Sequence, residues 1–183
     1  ASSLTTAANM TVNGNVTGGA FTLGAGSTLT IDATGNTVTS DVDGTTGGAE
    51  SQTLTLTAGT VSGAANLNGG DDILNLDGGD ITSAIDMGAG NDTVNANGTA
   101  TLSAPTLDGG TGTDTFHAQQ NIVILSDMAG FEGFNVDDGV LLEFDGNVTG
   151  GTVTLGDAAV LTIDGGTVTS AVNGVTGASQ AQT

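Results

Sequence analysis

The sequence points to an all-β fold, a right-handed parallel β-helix (β-solenoid) with coils of about 20 to 22 residues. Three features carry that expectation. One short pattern occurs three times, as Asn68-Gly69-Gly70-Asp71-Asp72-Ile73-Leu74, Gly88-Ala89-Gly90-Asn91-Asp92-Thr93-Val94 and Gly110-Thr111-Gly112-Thr113-Asp114-Thr115-Phe116. Its aspartates Asp72, Asp92 and Asp114 recur at intervals of about 20 residues, the length of one solenoid coil. Between the glycine turns, Thr or Asn alternates with Val, Leu or Ile, which sends apolar side chains to one face of a strand and polar ones to the other. Helix signals are nearly absent, with 32 Gly in the chain and no sustained apolar stripe of helical period.

Ala1 to Asn13 is a polar lead-in that ends in a strand-like stretch, and Gly14 to Gly19 is a turn. Short strands are expected at Ala20–Leu23, Thr28–Ile31 and Thr37–Ser40, then a polar loop from Asp43 to Gln52, then strands at Thr53–Thr57 and Thr60–Ser62. The three pattern coils occupy about Ala65 to Ser126. Asn121–Leu125 is the most apolar strand, and Asp127–Val136 interrupts the Thr pattern with two phenylalanines. Phe116, Phe131, Phe134 and Phe144 are expected to fill the widest part of the core. Each strand is too short to be stable alone, so it must pair with its equivalents one coil above and below, at about 4.8 Å. Eight or nine such coils make a rod roughly 40 Å long.

A longer repeat overlies the coils. Gly14–Gly19 recurs as Gly146–Gly151, Leu29–Asp32 as Leu161–Asp164, and Thr37–Ser40 as Thr167–Ser170. The spacing is roughly 130 residues in each case, several coils long. The expectation is one solenoid domain over residues 1–183, in which 14–53 and 146–183 are copies. Such copies suit a segment cut from a longer tandem array, or two ends that resemble each other because both meet neighbours in a stack.

Composition limits function. The chain has no Lys and no Arg against 20 Asp and Glu, a formal charge of −20. Binding to nucleic acid or to anionic membrane surfaces needs positive charge, so neither partner is expected. No run of about 18 apolar residues suggests membrane insertion of this segment. There is no Cys, so stability must come from packing and hydrogen bonds. The charge must be offset by spreading along a rod or by bound cations.

The pattern coils resemble the calcium-binding nonapeptide of RTX proteins, Gly-Gly-x-Gly-x-Asp-x-apolar. Gly109 to Phe116 matches it in full; Met87 replaces the first glycine of the second copy, and Leu67 and Asn68 replace the first two of the first copy. The resemblance implies calcium held by Asp72, Asp92 and Asp114 with carbonyls of the turns at Gly70, Gly90 and Gly112. Oxygen-only ligation suits such a hard cation. The chain departs from the family in carrying one pattern per coil, where RTX rolls carry two. The same pattern is also a good solenoid corner, with the aspartate bonding turn amides. The remainder resembles passenger regions of bacterial autotransporters and related large surface proteins, through Gly151–Gly156, Leu161–Gly166 and Met128–Val136. That resemblance implies a secreted or cell-surface bacterial location.

No catalytic function is expected. His117 is the sole histidine and lies on a strand without a nucleophile motif. The carboxylate pairs Asp71/Asp72 and Asp137/Asp138 are neighbours that face opposite sides of a strand. The expected function is structural: a subunit or segment of a surface filament or rod, self-associating end to end or laterally. The alternative is an adhesin stalk that binds a carbohydrate or receptor, with the polar loop Asp43–Gln52 as the place of contact.

Overall fold

Alternating apolar residues close into a three-sided β-solenoid. The structure, a computed structural model, describes residues 4–46, 50–99 and 101–174, and among them there is no helix. The first face is a seven-stranded sheet, stacked in chain order from Leu4–Thr6, Ala20–Leu23 and Asp41–Asp43 through Ala65–Asn66, Ile85–Asp86 and Thr106–Asp108 to Asp127–Ala129. The second face stacks Met10–Val12, the first half of Thr28–Val38, the first half of Thr53–Val61, Ile73–Leu76, Thr93–Ala96, Thr115–Ala118, Gly133–Val136, Thr152–Leu155 and Ala171–Gly174. The third stacks the second halves of the two long strands with Asp80–Ile81, Thr101–Leu102, Ile122–Ile124, Leu141–Phe144 and Val160–Ile163. Thr28–Val38 and Thr53–Val61 run around a corner without a break, which joins the second and third faces into one sheet.

Strand pairing is parallel and in register from coil to coil, so each inward position becomes a column. On the second face Leu29, Leu54, Leu74, Val94, Phe116, Phe134 and Val153 stack in sequence. The residues between them point out and form two columns. One runs Thr28, Thr53, Ile73, Thr93, Thr115, Gly133, Thr152; the other Thr30, Thr55, Asn75, Asn95, His117, Asn135, Thr154. Phe116, Phe131, Phe134 and Phe144 are fully buried, and their ring centroids lie 5.7 to 6.4 Å apart in edge-on and tilted contacts. They fill the core as the sequence indicates, and each edge-on pair adds about 1 kcal/mol beyond its buried area.

Coil length varies more than the spacing of the aspartates suggests. Phe116 meets Phe134 across a short coil, and Leu29 meets Leu54 across a long one. Only the paired strands must match in length; corners bulge freely, as the register shifts between Ile31 and Thr37 show.

The long repeat does not return to the same face. Phe21 lies on the first face and its counterpart Val153 on the second; Leu29 lies on the second and Leu161 on the third. Val38 lies on the third, whereas Val168 bridges to Val148 above Met128 on the first. The copies are therefore several coils and one face apart. The same sequence fits two faces because each face asks for the same thing, an alternating strand with a glycine turn at each end. The last part of the second copy, 175–183, lies outside the described residues, as do 47–49 of the polar loop.

Candidate functional site

The three pattern coils build one wall between the first and second faces. Their corners need left-handed backbone: φ is 67° at Asn68, 116° at Gly70, 147° at Gly90 and 145° at Gly112. Asn at position 68 is the residue best able to stand in for glycine there. At Gly90 and Gly112 nothing else fits, because an added Cβ would lie 2.0 Å from the Gly70 carbonyl oxygen and 1.6 Å from that of Gly90.

Alternation then decides which aspartate faces in. Asp72, Asp92 and Asp114 each stand two residues before an inward apolar side chain, and they are 0%, 1% and 0% exposed; Asp71, one residue earlier, is exposed. They form a column of carboxylates. Asp72 Oδ1 accepts the Gln52 N–H at 2.6 Å, Asp92 Oδ1 accepts the Asp72 N–H at 2.7 Å, and Asp114 Oδ1 accepts the Asp92 N–H at 2.7 Å. Glu132 closes the column by accepting the Asp114 N–H at 2.7 Å. One carboxylate oxygen per residue thus caps the backbone of the preceding coil. The other, Oδ2 of Asp72, Asp92 and Asp114, is buried without a hydrogen-bond partner, as is Gln52 Oε1.

Carbonyls of the turns are partly committed elsewhere. Asn68 O accepts the Ala89 N–H at 2.9 Å and Gly88 O the Thr111 N–H at 2.8 Å, while Ala89 O and Thr111 O take the N–H groups of Gly70 and Gly90. These bonds knit corner to corner.

Burial raises all three acids above the usual carboxylate range. Asp72 is pushed up to about 6, first by desolvation and then by the neighbouring Asp71 charge. Asp92 is pushed up to about 7 by desolvation, with Asp72, Asp114 and Asp71 adding repulsion. Asp114 is raised by desolvation and by Glu132 and Asp108. In each case the backbone N–H works against the rise. A column of like charges with no Lys or Arg in the chain has two ways to settle its free oxygens. It can hold protons, or it can hold a cation with oxygen ligands. The buried Oδ2 atoms fit either.

Sequence reasoning reached these three aspartates but missed the rest of the column. Ser27, Gln52 and Glu132 occupy the same position in neighbouring coils, each two residues before an inward Leu or Phe. Aligning Ser27-Thr28-Leu29 and Gln52-Thr53-Leu54 with Asp72-Ile73-Leu74 carries that signal. A second acidic group, Glu143, Asp145 and Asp164, offers ligand atoms all within 4.8 Å of one another, and no motif marked it. It forms because Phe144 and Ile163 pair across adjacent coils and bring the acids beside them together.

His117 stands half-buried in the outward column of the second face. Its Nε2 bonds Asp137 Oδ1 at 2.7 Å, and its Nδ1 meets Gln119 Nε2 at 3.2 Å. Among the described residues no helix is long and apolar enough to cross a membrane. Comparison of the chain with protein-family models, with curated proteins and with solved structures found no match.

Proposed function

We propose that the chain is a structural rod: a subunit or segment of a secreted or cell-surface filament whose solenoid axis is the axis of assembly. The observation that carries this reading is the continuity of the parallel ladders. On the second face they run in register from Met10–Val12 to Ala171–Gly174, so load applied along the rod is shared among many short strands.

The reading includes calcium as a structural ion. The buried Oδ2 atoms of Asp72, Asp92 and Asp114 are the donors that favour it, and the cluster Glu143, Asp145 and Asp164 is a second place to look. The role of the chain's own residues is to keep one oxygen of each column carboxylate on a backbone N–H and the other free. The reading is of a non-catalytic chain, and it accords with His117, whose two ring nitrogens are engaged by Asp137 and Gln119. A surface location accords with the absence of Lys and Arg, which removes every trypsin cleavage site. The adhesin alternative draws less support, since all five phenylalanines are buried and none can serve as a platform for a sugar ring.

Electron microscopy of the chain, with millimolar calcium and then with chelator, tests the proposal. Filaments one solenoid wide that form with calcium and shorten with chelator are expected. Filaments in both conditions keep the rod and remove the ion from its assembly. Isolated short rods in both conditions overturn the filament reading.

A further inference from the structure

Charge is unevenly placed on this rod. All 20 Asp and Glu fall outside the two outward columns of the second face that run from Thr28 to Thr152 and from Thr30 to Thr154. The first face carries Asp41, Asp43, Asp86, Asp108 and Asp127, and the third carries Asp80 and Glu143. On the second face the acids keep to the borders, Asp71 and Glu132 on one side and Asp77 and Asp137 on the other. Between them lies a strip without carboxylates, made of hydroxyl, methyl and amide groups and the His117 imidazole, with Ile73 37% exposed in it.

The strip is also ordered. Asn75 Nδ2 donates to Thr55 Oγ1 at 3.2 Å and Asn95 Nδ2 donates to Asn75 Oδ1 at 3.0 Å, so side chains in successive coils hold one another. His117 is held by Asp137 and Gln119. Burying side chains already fixed costs little further entropy.

We propose that this strip is a self-association surface through which two copies of the chain pack side by side across a two-fold axis. Two chains of charge −20 repel, and a contact that covers the whole of the first or the third face brings that face's carboxylates into the interface. The second face is the side on which the rods can touch without doing so. Its strands are stacked in register at about 4.8 Å, so its side chains form continuous columns. From Met10–Val12 to Ala171–Gly174, and at a width of about 13 Å, it covers roughly 500 Å² per copy, about 1,000 Å² in all, the lower limit for a specific interface. The association is accordingly weak and reversible, and it strengthens with salt as the flanking acids are screened. A two-fold contact is self-complementary, so residues near the middle of the strip meet their own counterparts. Asn95 is at that middle. The proposal is independent of axial assembly, which lengthens a rod and does not widen it.

The chain has no cysteine, so a single introduced thiol reports one contact. In chelator and moderate salt, Asn95→Cys is expected to form disulfide-linked dimers well before Asp86→Cys, whose side chain lies on the first face. Sedimentation velocity of the unaltered chain is expected to show a monomer–dimer equilibrium that shifts toward dimer with added salt. Asn95→Asp, nearly the same shape with a charge at the centre, should weaken it by at least about tenfold, and Asp86→Asn should not. Equal cross-linking rates at positions 95 and 86 would overturn the proposal. So would an unaltered chain that stays single at every concentration, including one that instead binds a neutral polysaccharide along this face. Because the readouts are rod pairing and thiol proximity, absence of filaments leaves this test intact.

Discussion

A carboxylate with one oxygen on a backbone N–H and the other buried without a partner is under opposed forces, and Asp92 is the clearest case. The hydrogen bond its Oδ1 accepts from the Asp72 N–H favours the ion, while desolvation and the charges of Asp72 and Asp114 favour the acid more strongly. In the unfolded chain an aspartate titrates near 4. The folded values of about 6 for Asp72 and about 7 for Asp92 are therefore raised. Raised acids contribute stability that is fully present below about pH 4 and is lost as pH rises through 6 and 7. The expected outcome in chelator is a urea midpoint higher at pH 5 than at pH 8, by a few kcal/mol of unfolding free energy in all. Asp92→Asn removes the charge and keeps the carbonyl acceptor for the Asp72 N–H, so it should flatten that profile. A profile equally steep in Asp92→Asn would assign the effect to the overall charge and not to the column.

Among the elements, the glycine corners are the least replaceable. Strands tolerate exchange of Thr for Asn or of Val for Leu, and the chain itself makes those exchanges from coil to coil. Gly112 tolerates none, because it combines φ of 145° with a carbonyl oxygen 1.6 Å from where its Cβ would be. Gly112→Ala should cost about 2 to 4 kcal/mol in chemical unfolding, at the upper end for a single methyl group. Gly139→Ala is the comparison: φ there is 71° and nothing lies within 4 Å, so only the backbone conformation resists and about 1 kcal/mol is expected. Similar losses at both positions would show that the corners have room to relax. The corners were legible in the sequence because left-handed turns favour Gly or Asn, although Ala158 also adopts that conformation, at φ 58°. The continuity of Thr28–Val38 around a corner was not, since Asp32 to Asn36 separates the two expected strands, and the ladder resumes past it through Asp32 opposite Ala58 and Thr37 opposite Thr60.

At the scale of the molecule the electrostatic force against the fold is its own charge. With −20 on a rod about 40 Å long and no Lys or Arg, repulsion is relieved mainly by ions from solution and by protons on the raised acids. Raising monovalent salt from about 0.01 M to about 0.15 M shortens the screening length from roughly 30 Å to roughly 8 Å. The thermal midpoint in chelator should rise by several degrees over that range. A chain stabilised mainly by site-bound calcium would instead respond little to sodium and strongly to micromolar calcium. The two titrations separate diffuse screening from binding at the aspartate column.

The class of fold was readable from the chain alone. A glycine–aspartate pattern recurring once per coil, Thr–apolar alternation and glycine at the corners leave a stacked parallel solenoid as the arrangement that buries the apolar residues and pairs the short strands. Asp72, Asp92 and Asp114 stood out in the same way. What those residues face emerged only on folding. Whether a carboxylate caps an amide, and whether its second oxygen has a partner, depends on the coil above and below, which the local sequence does not contain. The same holds for the acidic cluster of Glu143, Asp145 and Asp164 and for the carboxylate-free strip on the second face. Both are made by register between successive coils, and neighbours along the chain carry no trace of it.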